Sequence, residues 1–356
     1  MKRVPVLVFL TILFLASWVG ADTKLITQVE GYAVLAASST QDPSLVCFGL
    51  GKLDLRSQGA ENTRGQLTLN ISYSEGIFLD ISRAYVKYSL PEVRWTLGKT
   101  LASWGEGMVF NAGDLLFPDF DPSGTLSAES VKDKSLWLAG LNVPLGDLSF
   151  FEILGGAPGI NLLTPGPLPP WFEGALGGRG YFDMEVLALQ LGYLYSGEGK
   201  EHRSFLGFNT AWDTFNFYGN AASSLPSNLF VHPSPTQVLL DSFSFSLGFF
   251  QSLTTGWERR FSYRFEAQGK SSALVSSANI YGELSLELED TQNLTLRMVY
   301  HQEDQSAVGT LLYTWQLDKG FWILVIPSIQ LGEPGDKYSW NKVGGMNLTA
   351  GFRFVF

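Results

Sequence analysis

Met346-Asn347-Leu348-Thr349-Ala350-Gly351-Phe352-Arg353-Phe354-Val355-Phe356 alternates over almost its whole length. Met346, Leu348, Ala350, Phe352, Phe354 and Phe356 share one phase, and Asn347, Thr349, Gly351 and Arg353 lie between them, with Val355 out of pattern. A period of two puts successive side chains on opposite faces of an extended strand, so this segment has one greasy and one mostly polar face. The same pattern recurs upstream. Leu294, Leu296, Met298 and Tyr300 alternate with Thr295, Arg297, Val299 and His301. Leu284, Leu286 and Leu288 alternate with Glu283, Ser285 and Glu287, and Phe261, Tyr263 and Phe265 with Arg260, Ser262, Arg264 and Glu266. Phe243 to Phe249 and Leu187 to Tyr195 repeat it, with a second face of Ser, Gly, Gln and Ala.

These segments are long, about ten residues each, which decides between two all-β readings. A soluble sandwich uses strands of about 5–6 residues. A membrane-spanning strand needs about 9–11, apolar toward lipid and polar toward the lumen. Past residue 21 the longest apolar run is Phe321 to Pro327, too short for a transmembrane helix. A chain that crosses lipid without helices closes into a barrel, because nothing else satisfies every backbone group there. The expected fold is therefore a transmembrane antiparallel β-barrel. The strands are read at 25–36, 45–57, 63–73, 77–90, 92–100, 134–143, 147–155, 175–182, 185–196, 202–212, 214–222, 237–250, 257–269, 278–289, 292–303, 307–317, 320–331 and 344–356. That gives 16 to 18 strands, with 18 favoured; the count depends on a tight turn near Asp183-Met184. Short connections at Asp318-Lys319, Asp290-Thr291, Asp213, Pro144 to Gly146 and Pro91 alternate with long ones at 101–133, 156–174 and 223–236, which are expected at the outer end. With the first strand opening near residue 25, no separate plug domain is expected.

The N-terminus has the form of a secretory signal peptide over 1–21. Lys2 and Arg3 precede an apolar stretch from Val4 to Val19, and Val19-Gly20-Ala21 supplies a cleavage site before Asp22. A retained N-terminal anchor is the competing reading. Residues 22–356 are then one barrel domain, and losing Lys2 and Arg3 carries the net charge from −10 to −12. That charge argues against nucleic acid as a partner. Only 16% of residues are charged, against roughly 25% in ordinary soluble domains. Aromatics reach 14%, which excludes disorder. Cys47 is the single cysteine, so there is no internal disulfide, and three histidines make a Cys/His zinc site unsupported. Neither His202, His232 nor His301 recurs at a Ser-His or Asp-His spacing, so no catalytic residues, cofactor or enzymatic activity are assigned.

One connection stands apart. Trp104-Gly105-Glu106-Gly107, Phe110-Asn111, Asp114, Pro118-Asp119 and Asp121-Pro122 forbid regular strand pairing. Trp104, Phe110, Phe117 and Phe120 would be poorly placed in open water, so the loop is expected to fold inward as a constriction. It would carry Trp104, Glu106, Asn111, Asp114, Asp119 and Asp121 there. These oxygen ligands are of the type that binds Ca²⁺, but their spacing fits no known calcium loop and no metal is assigned. Arg94, Arg260, Arg264, Glu266, Glu283, Glu287, Arg297 and Arg353 share phases opposite to the greasy faces. A charge facing lipid costs about 2–4 kcal/mol at the midplane, so these eight are expected to line the lumen.

Residues Ala84-Tyr85-Val86-Lys87-Tyr88, Leu97-Gly98-Lys99, Trp104-Gly105-Glu106-Gly107, Asn111, Asp114 and Pro118-Asp119 resemble a run found in porin-like outer-membrane barrels of Gram-negative bacteria, including the alginate-export type. The resemblance implies an outer-membrane channel or transporter for small solutes. Phe352, Phe354 and Phe356 likewise resemble the final strand that the barrel assembly machinery reads. Outer-membrane lipid, small solutes and that machinery are the expected partners, with a homo-oligomer possible in such barrels. A structural or surface-contact barrel with a filled lumen remains the alternative.

Overall fold

The computed structural model describes residues 22–38, 42–59, 62–117, 135–157, 174–228, 242–254, 259–271, 277–340 and 345–356. The signal-peptide reading, most of the 156–174 loop, and Pro118, Asp119, Phe120 and Asp121 lie outside them. The strands are β1 Asp22–Ala37, β2 Ser44–Gln58, β3 Thr63–Tyr73, β4 Ile77–Ser89, β5 Arg94–Leu101, β6 Ser135–Pro144, β7 Phe150–Ala157, β8 Ala175–Asp183, β9 Leu187–Ser196, β10 Glu201–Trp212, β11 Phe215–Pro226, β12 Phe243–Thr254, β13 Arg260–Lys270, β14 Ser277–Glu289, β15 Gln292–His301, β16 Ser306–Asp318, β17 Phe321–Leu331 and β18 Met346–Val355. No helix occurs among the described residues.

Every strand pairs antiparallel with its neighbour in sequence. β18 returns to β1, from Gln28↔Val355 to Ala37↔Met346. Thr27 and Phe356 extend the seam with reciprocal backbone bonds of 2.9 Å. The result is a closed 18-stranded up-and-down barrel, which leaves no free sheet edge. The connections at the end holding both termini are all short: 59–62, 90–93, 145–149, 184–186, 213–214, 255–259, 290–291 and 319–320. At the opposite end lie 102–134, 158–174, 227–242 and 332–345. The turn expected near Asp183 spans 184–186, with Glu185 at φ 68° and Met184 N donating to Leu187 O.

The strand list departs from the sequence expectation by a few residues at most ends. The larger differences are at the end of β11 and at both ends of β12, which runs to Thr254 rather than 250. β11 runs on to Pro226 rather than 222 because Glu201↔Pro226 pairing continues across Ala221-Ala222-Ser223-Ser224, whose small side chains give little contrast of phase. β12 begins at Phe243, and 229–241 lie outside the described residues.

Alternation sorts the side chains. Leu25, Val29, Leu67, Trp95, Leu191, Leu206, Leu296, Phe352 and Phe354 share the outward phase, and the large members are exposed around the whole circumference, Leu348 and Phe352 each by over two-fifths. An aqueous surface does not carry a continuous belt of this kind, and hydrocarbon solvates it. A bulge opposite Thr68 and Leu69 lets β4 keep that rule: Leu79 and Ile81 stay outward, and Asp80 stays inward within 3.5 Å of Lys99.

Candidate functional site

After Leu101 the chain leaves the wall and turns into the lumen. Trp104 is fully buried. Its Nε1 donates to Glu152 Oε2 at 3.1 Å, and its ring stacks on Phe205 with centroids 6.3 Å apart. Ala112 and Leu115 from the same loop join it against Leu154, Leu194, Phe205 and Ala222 of the wall. Gly105 and Gly107 make the reversal, at φ +72° and +133°. A Cβ on Gly107 would stand 2.3 Å from Phe110 O, so only glycine fits there. Asn111 holds the turn from within: its Nδ2 donates to Trp104 O at 2.8 Å and its Oδ1 accepts from Gly113 N at 3.0 Å.

The barrel wall supplies a partner for almost every turn of this backbone. Gln190 Oε1 accepts from Gly105 N at 3.3 Å, Asn220 Oδ1 from Glu106 N at 3.1 Å, and Ser246 Oγ from Ala112 N at 3.0 Å. Arg179 and Arg203 donate to the carbonyls of Ser103 and Leu115. Glu266 receives three consecutive amides, Met108 N on Oε1 at 2.7 Å and Val109 N and Phe110 N on Oε2 at 2.8 Å each, with the Tyr218 hydroxyl also on Oε1. A backbone stripped of water needs such acceptors. The tip then packs Val109 and Phe110 on Tyr281, Val299, Val308 and Tyr338. Tyr338 comes from the β17–β18 connection, so a second loop dips into the same cluster. Asp304 secures that loop, accepting from Lys337 N and from the amide and hydroxyl of Ser306, with His301 Nδ1 at 2.9 Å.

The expected lumen charges fall on the inward face, but with different surroundings. Glu283 accepts from Arg297 Nε at 2.8 Å and from the Tyr281 hydroxyl at 2.8 Å, and both ions of the pair are nearly buried. Arg264 lies over the Phe250 ring, 5.0 Å from its centroid, and within 4.0 Å of Glu266 and Glu283. Arg353 donates to Glu30 Oε1 at 2.6 Å across the seam. Arg94 and Arg260 are exposed near the end that holds the termini, and Glu287 is half-buried beside a bulge. Glu266 requires a correction: it faces inward, but it is fully covered by the loop and presents no surface to the lumen. Within the loop, Glu106 Oε1 accepts from Gln190 Nε2 at 2.7 Å, and Asp114 is half-buried with Ser103 Oγ at 3.3 Å. Glu106 and Asn111 are thus engaged within the protein, and among the described residues no three His, Cys, Asp or Glu side chains converge as a metal site would require. Ser306 Oγ donates to Asp304 rather than toward His301, so these three do not form a nucleophilic relay.

Sequence reasoning found Arg94 but missed the rest of the opposite wall. Lys24, Arg56, Arg64 and Lys87 are exposed and, with Arg94, share the inward phase of β1–β5 toward the end that holds the termini, across the lumen from β10–β13. Nearby Asp54 is committed to Arg56 at 2.7 Å and to Gln66 and Thr68. Phasing these strands as the later ones were phased would have found the wall.

No family model matches the chain, and no curated protein matches it. Solved structures do. Acinetobacter baumannii OccAB4 is 10% identical, with 94% of this chain and 98% of that one covered at a TM-score of 0.59. Pseudomonas aeruginosa OccD3 (OpdP) is 9% identical, with 95% and 93% covered and a TM-score of 0.59. Salmonella typhi OmpF, in a complex with Daunomycin, is 10% identical, with 95% and 98% covered and a TM-score of 0.51. Across almost its full length, then, the chain shares its fold, a closed antiparallel β-barrel, with these proteins.

Proposed function

We propose that this protein is an outer-membrane porin that passes small solutes through the lumen of its barrel, passively or with selectivity, and that it is not an enzyme. The observation that carries the reading is the inward-folded loop at 102–117, docked on one wall while the facing wall keeps exposed cationic side chains. A barrel of 16–18 strands is wide enough for an aqueous passage. Loop carboxylates Glu106 and Asp114 on one side and Lys24, Arg56, Arg64 and Lys87 on the other set a transverse field, which orients dipolar solutes as they cross. Arg94, Arg260, Glu287 and Arg353 belong to the lining. The apolar outer belt supports placement in lipid, reached by export with the 1–21 segment. Phe352, Phe354 and Phe356 form the outward face that the barrel assembly machinery would read. OmpF's complex with Daunomycin, a small molecule, is in keeping with this function.

The buried ion pair Glu283–Arg297 and the two apolar clusters favour the second reading, a structural barrel with a filled lumen. Planar-bilayer recording of the refolded 22–356 chain separates the two. A channel gives discrete conductance steps that permeant solutes block from within. A filled barrel inserts, remains folded and gives no steps.

A further inference from the structure

We infer that Glu266 is the positioning residue of the constriction: its carboxylate fixes the loop tip Met108–Phe110 to the wall and so sets the free width of the lumen. The inference rests on the channel reading for the word width, and on hydrogen-bond geometry alone for the anchor. Three successive amides that point at one spot form an anion-binding nest. Here the anion is the protein's own side chain, and it is matched. A carboxylate offers two oxygens and about four acceptor directions, and four donors occupy them: Met108 N, Val109 N, Phe110 N and the Tyr218 hydroxyl. Arg264 Nη1 stands 3.9 Å from Oε1, an opposite charge beside the carboxylate. Glu266 is fully buried and touches no solute path, so it acts only through the loop.

Glutamine has the same shape but replaces one acceptor oxygen with an NH2 group, which would face the incoming amides donor to donor. Bonds to a charged acceptor are worth more than neutral ones, and losing one shifts the docked-to-released balance of the tip by about tenfold or more. Val109, buried beside the nest, reports that balance. In a Cys47→Ser background, Val109→Cys is to be labelled with a water-soluble maleimide, alone and combined with Glu266→Gln. We expect labelling at least about tenfold faster with Glu266→Gln, with the single conductance level replaced by several levels. Glu30→Gln is the control: that carboxylate is also buried on the inward face but bonds Gln28, Tyr32 and Arg353 beside the β18–β1 seam, and it should leave Val109→Cys protected. If Glu266→Gln does not fold, Tyr218→Phe removes one donor from the same oxygen and should give a smaller increase. Labelling unchanged by either variant overturns the anchor. If the unmodified chain gives no conductance steps while labelling still depends on Glu266, the channel reading fails and the anchor stands.

Discussion

Asp304 shows how a single side chain can commit a whole connection. Its carboxylate collects Lys337 N, the Ser306 amide and hydroxyl, and His301 Nδ1, which brings Tyr338 down onto the tip of the inner loop. Burial alone would push this carboxyl up, but the bonds from Lys337, Ser306 and His301 outweigh it and hold it well below the ordinary carboxylate range. A depressed carboxyl contributes stability that is present above its unfolded value of about 4 and is lost only as pH falls through the lowered value. Acidifying from pH 7 to pH 5 should therefore leave the latch closed. Asp304→Asn removes the charge and weakens each of these bonds, from about 1.5–3 kcal/mol for a charged acceptor toward about 1 kcal/mol for a neutral one. Amide hydrogen exchange at Lys337 and Tyr338, corrected for intrinsic rate, is the check. The parent should keep both protected at pH 5 and pH 7, and Asp304→Asn should lose protection at both. Loss of protection in the parent at pH 5 would mean that the carboxyl titrates in its ordinary range.

At the scale of the element, the strand is the unit whose alternation the sequence displays, and for a simple reason. Hydrocarbon outside tolerates almost no exception, so Phe261, Tyr263 and Phe265 or Leu294, Leu296 and Met298 mark their phase unmistakably. The inner face answers to no such uniform solvent. Lumen residues are chosen one at a time for partners on other strands, as Glu152, Gln190, Asn220 and Ser246 are chosen for a loop that leaves the wall at β5. Those four sit on β7, β9, β11 and β12, and only the register of the closed sheet brings them together. Glu266 was legible as inward from its neighbours, but the three amides that cover it were not. The outward and inward phases make a direct prediction for β2. In a Cys47→Ser background, Arg56→Cys should react with a charged thiol reagent in liposomes, while Leu55→Cys, paired with Leu25 on the outward face, should not. The reverse pattern would shift β2 by one residue and turn the basic wall toward lipid.

For the molecule as a whole, the question is what the two facing surfaces do to a solute between them. The loop carries its carboxylates on the β7–β16 side, and Lys24, Arg56, Arg64 and Lys87 stand exposed on the other. Fields from exposed charges decay over about 10 Å at 0.1 M salt, so in a lumen of this kind each surface acts most strongly on the solute nearest to it. The loop also occupies volume. Its two apolar clusters hold Trp104, Leu115, Val109 and Phe110 in the interior, where water or solute would otherwise pass. Replacing 104–117 with a short Gly-Ser linker removes both contributions and leaves every strand, and the β18–β1 seam, untouched. Larger single-channel conductance is expected, since the space held by the clusters is returned to water. Selectivity should move away from cations and toward anions at the same time, because Glu106 and Asp114 leave while the basic wall stays. Lowering the salt should enlarge that shift, as screening weakens. Reversal potentials across a KCl gradient, measured beside conductance, read both effects on one channel. Conductance that rises with selectivity unchanged would assign the loop a steric role alone, and neither quantity changing would remove it from the solute path.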